Sequence, residues 1–213
     1  VLVSVCLAPS GDARAADDLA AKILPIIGQH DGEVAVAIKH LPSGEAFAHR
    51  EDVAMPTASL IKFPVMIAAY QAIDAGTLHL DDMITLEEED KVPGSGILTT
   101  RFSGGAKFPL RDAIHLMIVD SDNTATNLVI DEIGLPTTAE LMEKLGCPKT
   151  KLHSKVFRRD TSIFPERSRE YGLGSTTASD MVTLLEMLVD GKLASEERTG
   201  QMLAHLYDCT DRT

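Results

Sequence analysis

Tryptophan is absent, and aromatic residues make up only 4% of the 213-residue chain. Stacking platforms for bases or sugar rings are therefore scarce. Basic residues are also short: 20 Lys and Arg face 32 Asp and Glu, a formal charge of −12. Such a field repels nucleic acid and anionic membrane surfaces. No stretch after the first residues approaches the ~18 to 20 consecutive apolar residues that a membrane span requires. The 7 His and 3 Cys form no H-E-x-x-H or C-x-x-C pattern, so no metal or organic cofactor is implied. Walker and G-x-S-x-G sequences are missing, and Gly172-Leu173-Gly174 lacks the strand that a nucleotide fingerprint needs before it. What remains is a chain that is 44% apolar, enough for one sizeable core or two small lobes, whose chemistry must come from polar residues.

The first residues, VLVSVCLAPSGDARA, run from an apolar segment to the small-x-small pattern Ala13-Arg14-Ala15. Residues 1–15 read as the remnant of a signal peptide clipped at its front, leaving 16–213 as the mature domain and implying a periplasmic or secreted protein. Export leaves Cys147 and Cys209, which could pair or stay as free thiols.

Asp17 or Asp18 can cap an amphipathic helix that stops at Gly28. The period then changes: Glu33 to Lys39 and Glu45 to His49 alternate about Pro42-Ser43-Gly44, a β-hairpin. From Thr57 the pattern is helical: roughly 59–75, 109–119, 123–133, 138–145, 177–190 and 196–206. Thr137 and Glu140 offer a capping box, while Thr176 or Thr177 opens and Gly191 closes another helix. A lone hairpin needs sheet partners. Its missing strands are therefore expected beyond Thr213, making the chain truncated at both ends.

Two short patterns can carry chemistry. Ser59 and Lys62 are i and i+3 at a helix start, so hydroxyl and amine share one face. A partly desolvated Lys can take the proton of a serine nucleophile, and the helix N-terminus offers N–H groups to an oxyanion. The pattern S-x-x-K also arises by chance in solvated helices. Ser121-Asp122-Asn123 links two helices and could be nothing but caps. Both motifs together, in this order, match the set used by penicillin-recognising serine enzymes.

On these residues the chain resembles the class A beta-lactamases and penicillin-binding proteins, over TASLIKFPVM, the GSGIL segment at 94–98, VDSDNTATNLVIDEIG at 119–134 and GSTTASDMVTLLEML at 174–188. The resemblance implies an α/β (α+β) fold: an all-helical lobe, and a mixed lobe represented here only by the N-terminal helix and hairpin. It makes Ser59 the acylated nucleophile, Lys62 its proton partner, Ser121 a relay to the leaving nitrogen and Asn123 the holder of the substrate's side-chain amide. Asp122 would tie the loop to neighbouring backbone. The implied partner is a small molecule, a beta-lactam or a D-Ala-D-Ala peptide, met by a monomer.

Two departures bear on activity. The family's K-T-G is absent, since Lys149-Thr150 precedes Lys151, so these 213 residues by themselves are expected to be inactive. The E-x-x-L-N-like element that supplies the deacylating glutamate is also missing; Glu166 is a candidate by location alone. Without a positioned base an acyl-enzyme persists, as in penicillin-binding proteins. The alternative is therefore a D,D-peptidase or penicillin-binding protein, and from another class an inactive cell-wall binding module. The same loop, 147–174, carries seven basic against three acidic residues, either a solvated face or a cationic rim for a carboxylate.

Overall fold

A computed structural model describes the backbone of residues 11–209 and the side chains of 19–209. Helix α1 (Gly11–Ile27) leads into β1 (Val36–Lys39) and β2 (Ala46–His49), then β3 (Met55–Pro56), a 3-10 turn (Ala58–Ile61) and α2 (Lys62–Asp74). There follow β4 (Met83–Leu86), α3 (Leu98–Arg101), β5 (Ala106–Pro109), α4 (Leu110–Val119), α5 (Asn123–Ile133) and α6 (Leu135–Lys144). The remainder is β6 (Lys151–Leu152), α7 (Pro165–Tyr171), β7 (Gly174–Thr176), α8 (Ala178–Val189) and α9 (Glu196–Tyr207).

Helix α2 is the hub. Every residue from Lys62 to Tyr70 is buried, so the helix is apolar nearly all round, the signature of a helix enclosed by others. Helices α4, α5, α6 and α9 pack against it. Met66, Ile67, Ile114, Met117, Ile130 and Met142 are fully buried in the resulting core, each contributing roughly 1.5–3 kcal/mol through removal from water.

The hairpin forms as expected, with Val36 opposite His49 and Lys39 opposite Ala46. It is covered by α8 on β1 and α1 on β2. Other expectations are corrected. The hairpin stays a two-stranded sheet of its own, while β3, β7 and β6 form a separate three-stranded antiparallel sheet, and β4 pairs with β5. The view that the mixed lobe is represented only by the N-terminal helix and hairpin, its other strands lying beyond Thr213, is overturned by these strands within the chain. Strands of two to four residues are too short to show a period, which is why the sequence pattern does not announce them. Helix α6 begins at Leu135, ahead of the expected capping box, because Pro136 favours the first turn; Thr137 instead donates to the Ile133 carbonyl at 2.5 Å. Likewise α1 starts at Gly11, ahead of Asp17 and Asp18. Of the leader expected at 1–15, residues 1–10 lie outside the described residues. Cys147 and Cys209 are free thiols, Cys147 buried with its pKa pushed up to about 11 by that burial.

Candidate active site

Ser59 does not sit on α2 itself but on the preceding 3-10 turn, entered through Ala58 at φ 44°. A non-glycine residue in that left-handed region is strained, and the cost is borne where the turn must present a side chain. Lys62 opens α2 and is only 3% exposed. Its ammonium has three N–H donors and meets three acceptors: Ser121 O at 2.5 Å, Ser121 Oγ at 3.0 Å and Asn123 Oδ1 at 3.0 Å. Ser121 Oγ in turn donates to Ser59 Oγ at 3.1 Å. The 3-10 turn and the α4–α5 link thus meet in a continuous path from Ser59 through Ser121 to Lys62.

The link is held by local chemistry. Ser121 has φ 50°, which turns both its carbonyl and its hydroxyl towards Lys62. Asp122 caps α5, accepting from Ala125 N at 2.9 Å, and its other oxygen accepts from Ile97 N at 2.7 Å and Leu98 N at 2.9 Å. That 94–98 segment can approach because it is built on glycine: a Cβ on Gly96 (φ 110°) would lie 2.2 Å from the Asp122 carboxylate. One on Gly94 (φ 97°) would lie 2.5 Å from Asn123 Nδ2. Asn123 is fixed from its other end by donating to Pro93 O at 3.0 Å.

Burial lowers the Lys62 pKa from 10.5 to about 8, the Asp122 charge opposing the shift. An amine that titrates near neutrality can exist as the free base, the form that accepts a proton.

A cleft of about 280 Å³ opens on Ser59 and Asn123, walled by Ala58, Ser154 to Phe157, Arg159 and Leu173. Asn127, one turn beyond Asn123 on α5, holds that wall in place. Its Oδ1 accepts from Val156 N at 2.7 Å and its Nδ2 donates to Val156 O at 3.0 Å. Sequence reasoning passed over Asn127, although a buried Asn inside a helix signals a side chain spoken for by backbone elsewhere. Of the residues singled out in the sequence, Ser59, Lys62, Ser121 and Asn123 come together. Glu166 does not join them: it is exposed in the first turn of α7 and is not among the residues lining the cleft. No Asp or Glu lines that cleft.

Comparison with known proteins gives this arrangement a context. The model of the beta-lactamase enzyme family matches residues 18–213. The chain belongs to that family. The beta-lactamase of Rhodobacter capsulatus is 28% identical over 177 residues, covering 82% of this chain and 57% of that protein. Beta-lactamase L2 of Stenotrophomonas maltophilia is 27% identical over 182 residues, 83% of this chain and 56% of that one. The chain thus spans little more than half the length of these curated relatives. Among solved structures, the beta-lactamase of Sphaerobacter thermophilus superposes with a TM-score of 0.75 at 35% identity, covering 95% of this chain and 70% of that one. PBP-A superposes with a TM-score of 0.79 at 22% identity over 91% of this chain and 69% of its own, which shows the shared fold. Among the described residues no helix of this beta-lactamase-family chain is long and apolar enough to cross a membrane, and no group of three His, Cys, Asp or Glu could hold a metal ion.

Proposed function

We propose that the protein is a serine acyl-transfer enzyme that opens beta-lactam amides through an ester on Ser59, working as a periplasmic or secreted monomer after loss of residues 1–15. The observation that carries this reading is the Ser59–Ser121–Lys62 path, with contacts of 3.1 and 3.0 Å. Neutral Lys62 accepts a proton through Ser121 as Ser59 Oγ attacks the amide carbon. The carbonyl oxygen then takes the negative charge, and the proton returns through Ser121 to the leaving nitrogen as the C–N bond breaks. Asn123, lining the same cleft, holds the amide of the acyl side chain.

The fate of the ester favours the slow-turnover variant of this reading. Hydrolysis needs a base beside the acylated serine, and the lining of the cleft supplies no carboxylate. Val156 occupies the clamped part of the wall, and Glu166 could serve only if α7 moved. An acyl-enzyme that lingers is the behaviour of a D,D-peptidase or penicillin-binding protein, and a mutant of the structural relative PBP-A is itself an acyl-enzyme complex with penicillin G.

The test is intact-mass measurement of the full-length protein after incubation with a chromogenic beta-lactam. An adduct that disappears in Ser59→Ala, with a burst followed by slow turnover, is the expected result. Fast steady-state hydrolysis rejects slow deacylation, and no adduct in the wild type supports an inactive binding module instead.

A further inference from the structure

Most of the seven cations in the loop 147–174 are committed to partners. Lys149 pairs with Asp52, Lys151 with Glu143, Lys155 with Asp131 and Arg158 with Asp160. Arg167 donates to Ser175 Oγ at 2.5 Å and stacks over Tyr171, 5.4 Å from the ring centre. Of these seven cations, only Arg159 and Arg169 have no side-chain hydrogen-bond or ion-pair partner among the described residues, and both line one cavity. That cavity, about 290 Å³, also carries the hydroxyls of Ser162 and Ser168, which lie 2.6 Å apart. Arg159 borders the Ser59 cleft as well, so the two spaces share one side chain.

Two unpartnered guanidinium groups facing one hollow are unexpected in a protein of net charge −12, where acidic partners are plentiful. Like charges repel, so two guanidinium groups on one hollow raise the local positive potential and favour the entry of an anion. The one acid on the lining, Asp160, lies 3.9 Å from Arg158 Nε. A guanidinium offers a planar pair of donors that fits a carboxylate, and the hydrogen-bonded serine hydroxyls leave one neutral O–H donor beside it. Asn123 borders the cleft on which Arg159 also stands, so a side chain on the amide held by Asn123 shares one cavity with Arg159.

We propose that Arg159 and Arg169, with Ser162 and Ser168, form a subsite for a carboxylate on the acyl side chain of the substrate, so that the protein prefers anionic acyl groups. This rests on acylation of Ser59 as read above, and it specifies which acyl donors that site selects.

The test compares two penicillins that differ only by a carboxylate on the side-chain α-carbon, measuring second-order acylation rates on the full-length protein at low and high salt. In the wild type the ratio of the carboxylate compound to its neutral parent should be highest at low salt and should fall as salt rises. Arg159→Gln should lower that ratio by about tenfold and Arg169→Gln by roughly threefold, as for partly exposed charge contacts, with Arg159→Lys in between. Both side chains are exposed, and unchanged thermal unfolding of each variant shows that the fold is kept. Adducts from both compounds with the same ratio in wild type and variants overturn the subsite alone. No adduct from either compound overturns the acylation reading and this inference together.

Discussion

Two clusters of buried titratable groups flank helix α2, and they differ in what surrounds them. At its N-terminal end Lys62 is lowered to about 8 by burial. Further along, Tyr70 meets His205 Nε2 at 2.8 Å, burial pushing the tyrosine up to about 12 and the histidine down to about 4, with His115 adding to the latter. Judged by pKa alone, the second cluster is at least as perturbed as the first. Yet Tyr70, His115 and His205 stand on the regular helices α2, α4 and α9 where these pack together. The Lys62 cluster instead depends on two non-glycine residues at positive φ, Ala58 and Ser121, and has two members, Ser59 and Asn123, on an open cleft. A shifted pKa reports desolvation, whereas strained backbone that aims polar groups at a cavity points to chemistry.

The comparison breaks hardest at Lys62. Replacing it by Met removes the proposed proton acceptor while keeping an unbranched chain of similar volume, and acylation of Ser59 should fall by about 10³-fold, within the range for loss of a general base. In the wild type, the acylation rate should climb as pH rises through about 8, because only the free amine accepts the proton. The Met variant should lose that limb. Stability should move the other way: a lysine pKa lowered on folding means that the unfolded chain binds the extra proton between about 8 and 10.5, so charged Lys62 is a standing cost below pH 8. Lys62→Met should thus fold at least as well as wild type by urea titration at pH 7. An acylation rate within tenfold of wild type would sink the proton path.

A smaller but more specific blow falls on the glycine beneath the link. Gly96→Ala forces a Cβ against the Asp122 carboxylate at 2.2 Å, in a backbone conformation that alanine rarely adopts. Asp122 must shift, and with it the backbone that carries Ser121 and Asn123. Acylation should drop by roughly 10²-fold, the scale on which an ångström of misplacement acts. Stability should fall by about 2–3 kcal/mol, in line with a strained φ plus a disturbed buried cap. Stopped-flow acylation paired with thermal unfolding separates the two effects; a loss of stability with no loss of rate would show that the link's position does not matter.

The contrast between the clusters also explains what could be read in advance. Helices α4 and α9 were legible from their apolar period, and α5 and α8 also from the capping residues that open them, Asp122 and Thr177 each accepting from a backbone N–H three residues on. The spacing of Ser59 and Lys62 was legible for the same local reason. What was hidden depends on distant partners. Strand β7 has three residues, all buried, and exists because β3 and β6 flank it. Lys62 meets Ser121 only through positive φ at Ser121, which no pattern in Val119 to Asn123 announces. The loop wall at Val156 reaches the cleft through Asn127, 29 positions away. The K-T-G and glutamate departures were visible as sequence, but the absence of any Asp or Glu from the cleft lining was not.

The mildest perturbation tests the other side of the contrast, that the Tyr70–His205 pair serves the fold alone. A histidine pKa lowered on folding means that the unfolded chain takes up a proton between about 6.5 and 4, so stability is present above pH 6.5 and is lost as pH falls towards 4. The groups that set this are His115 and burial, which lower the value, and Asp208, which raises it. His205→Gln keeps a partner for the Tyr70 hydroxyl but cannot titrate. Between pH 7 and 4.5 the wild type should lose on the order of 2 kcal/mol more than the variant in urea unfolding, a figure already reduced for partial solvent screening. Acylation at pH 7 should change by less than about twofold, since the pair stands apart from the hydrogen bonds that join Ser59, Ser121 and Lys62. A large fall in rate with stability intact would show instead that α9 communicates with the cleft, and would erase the distinction between a buried pair that holds helices together and one that moves a proton.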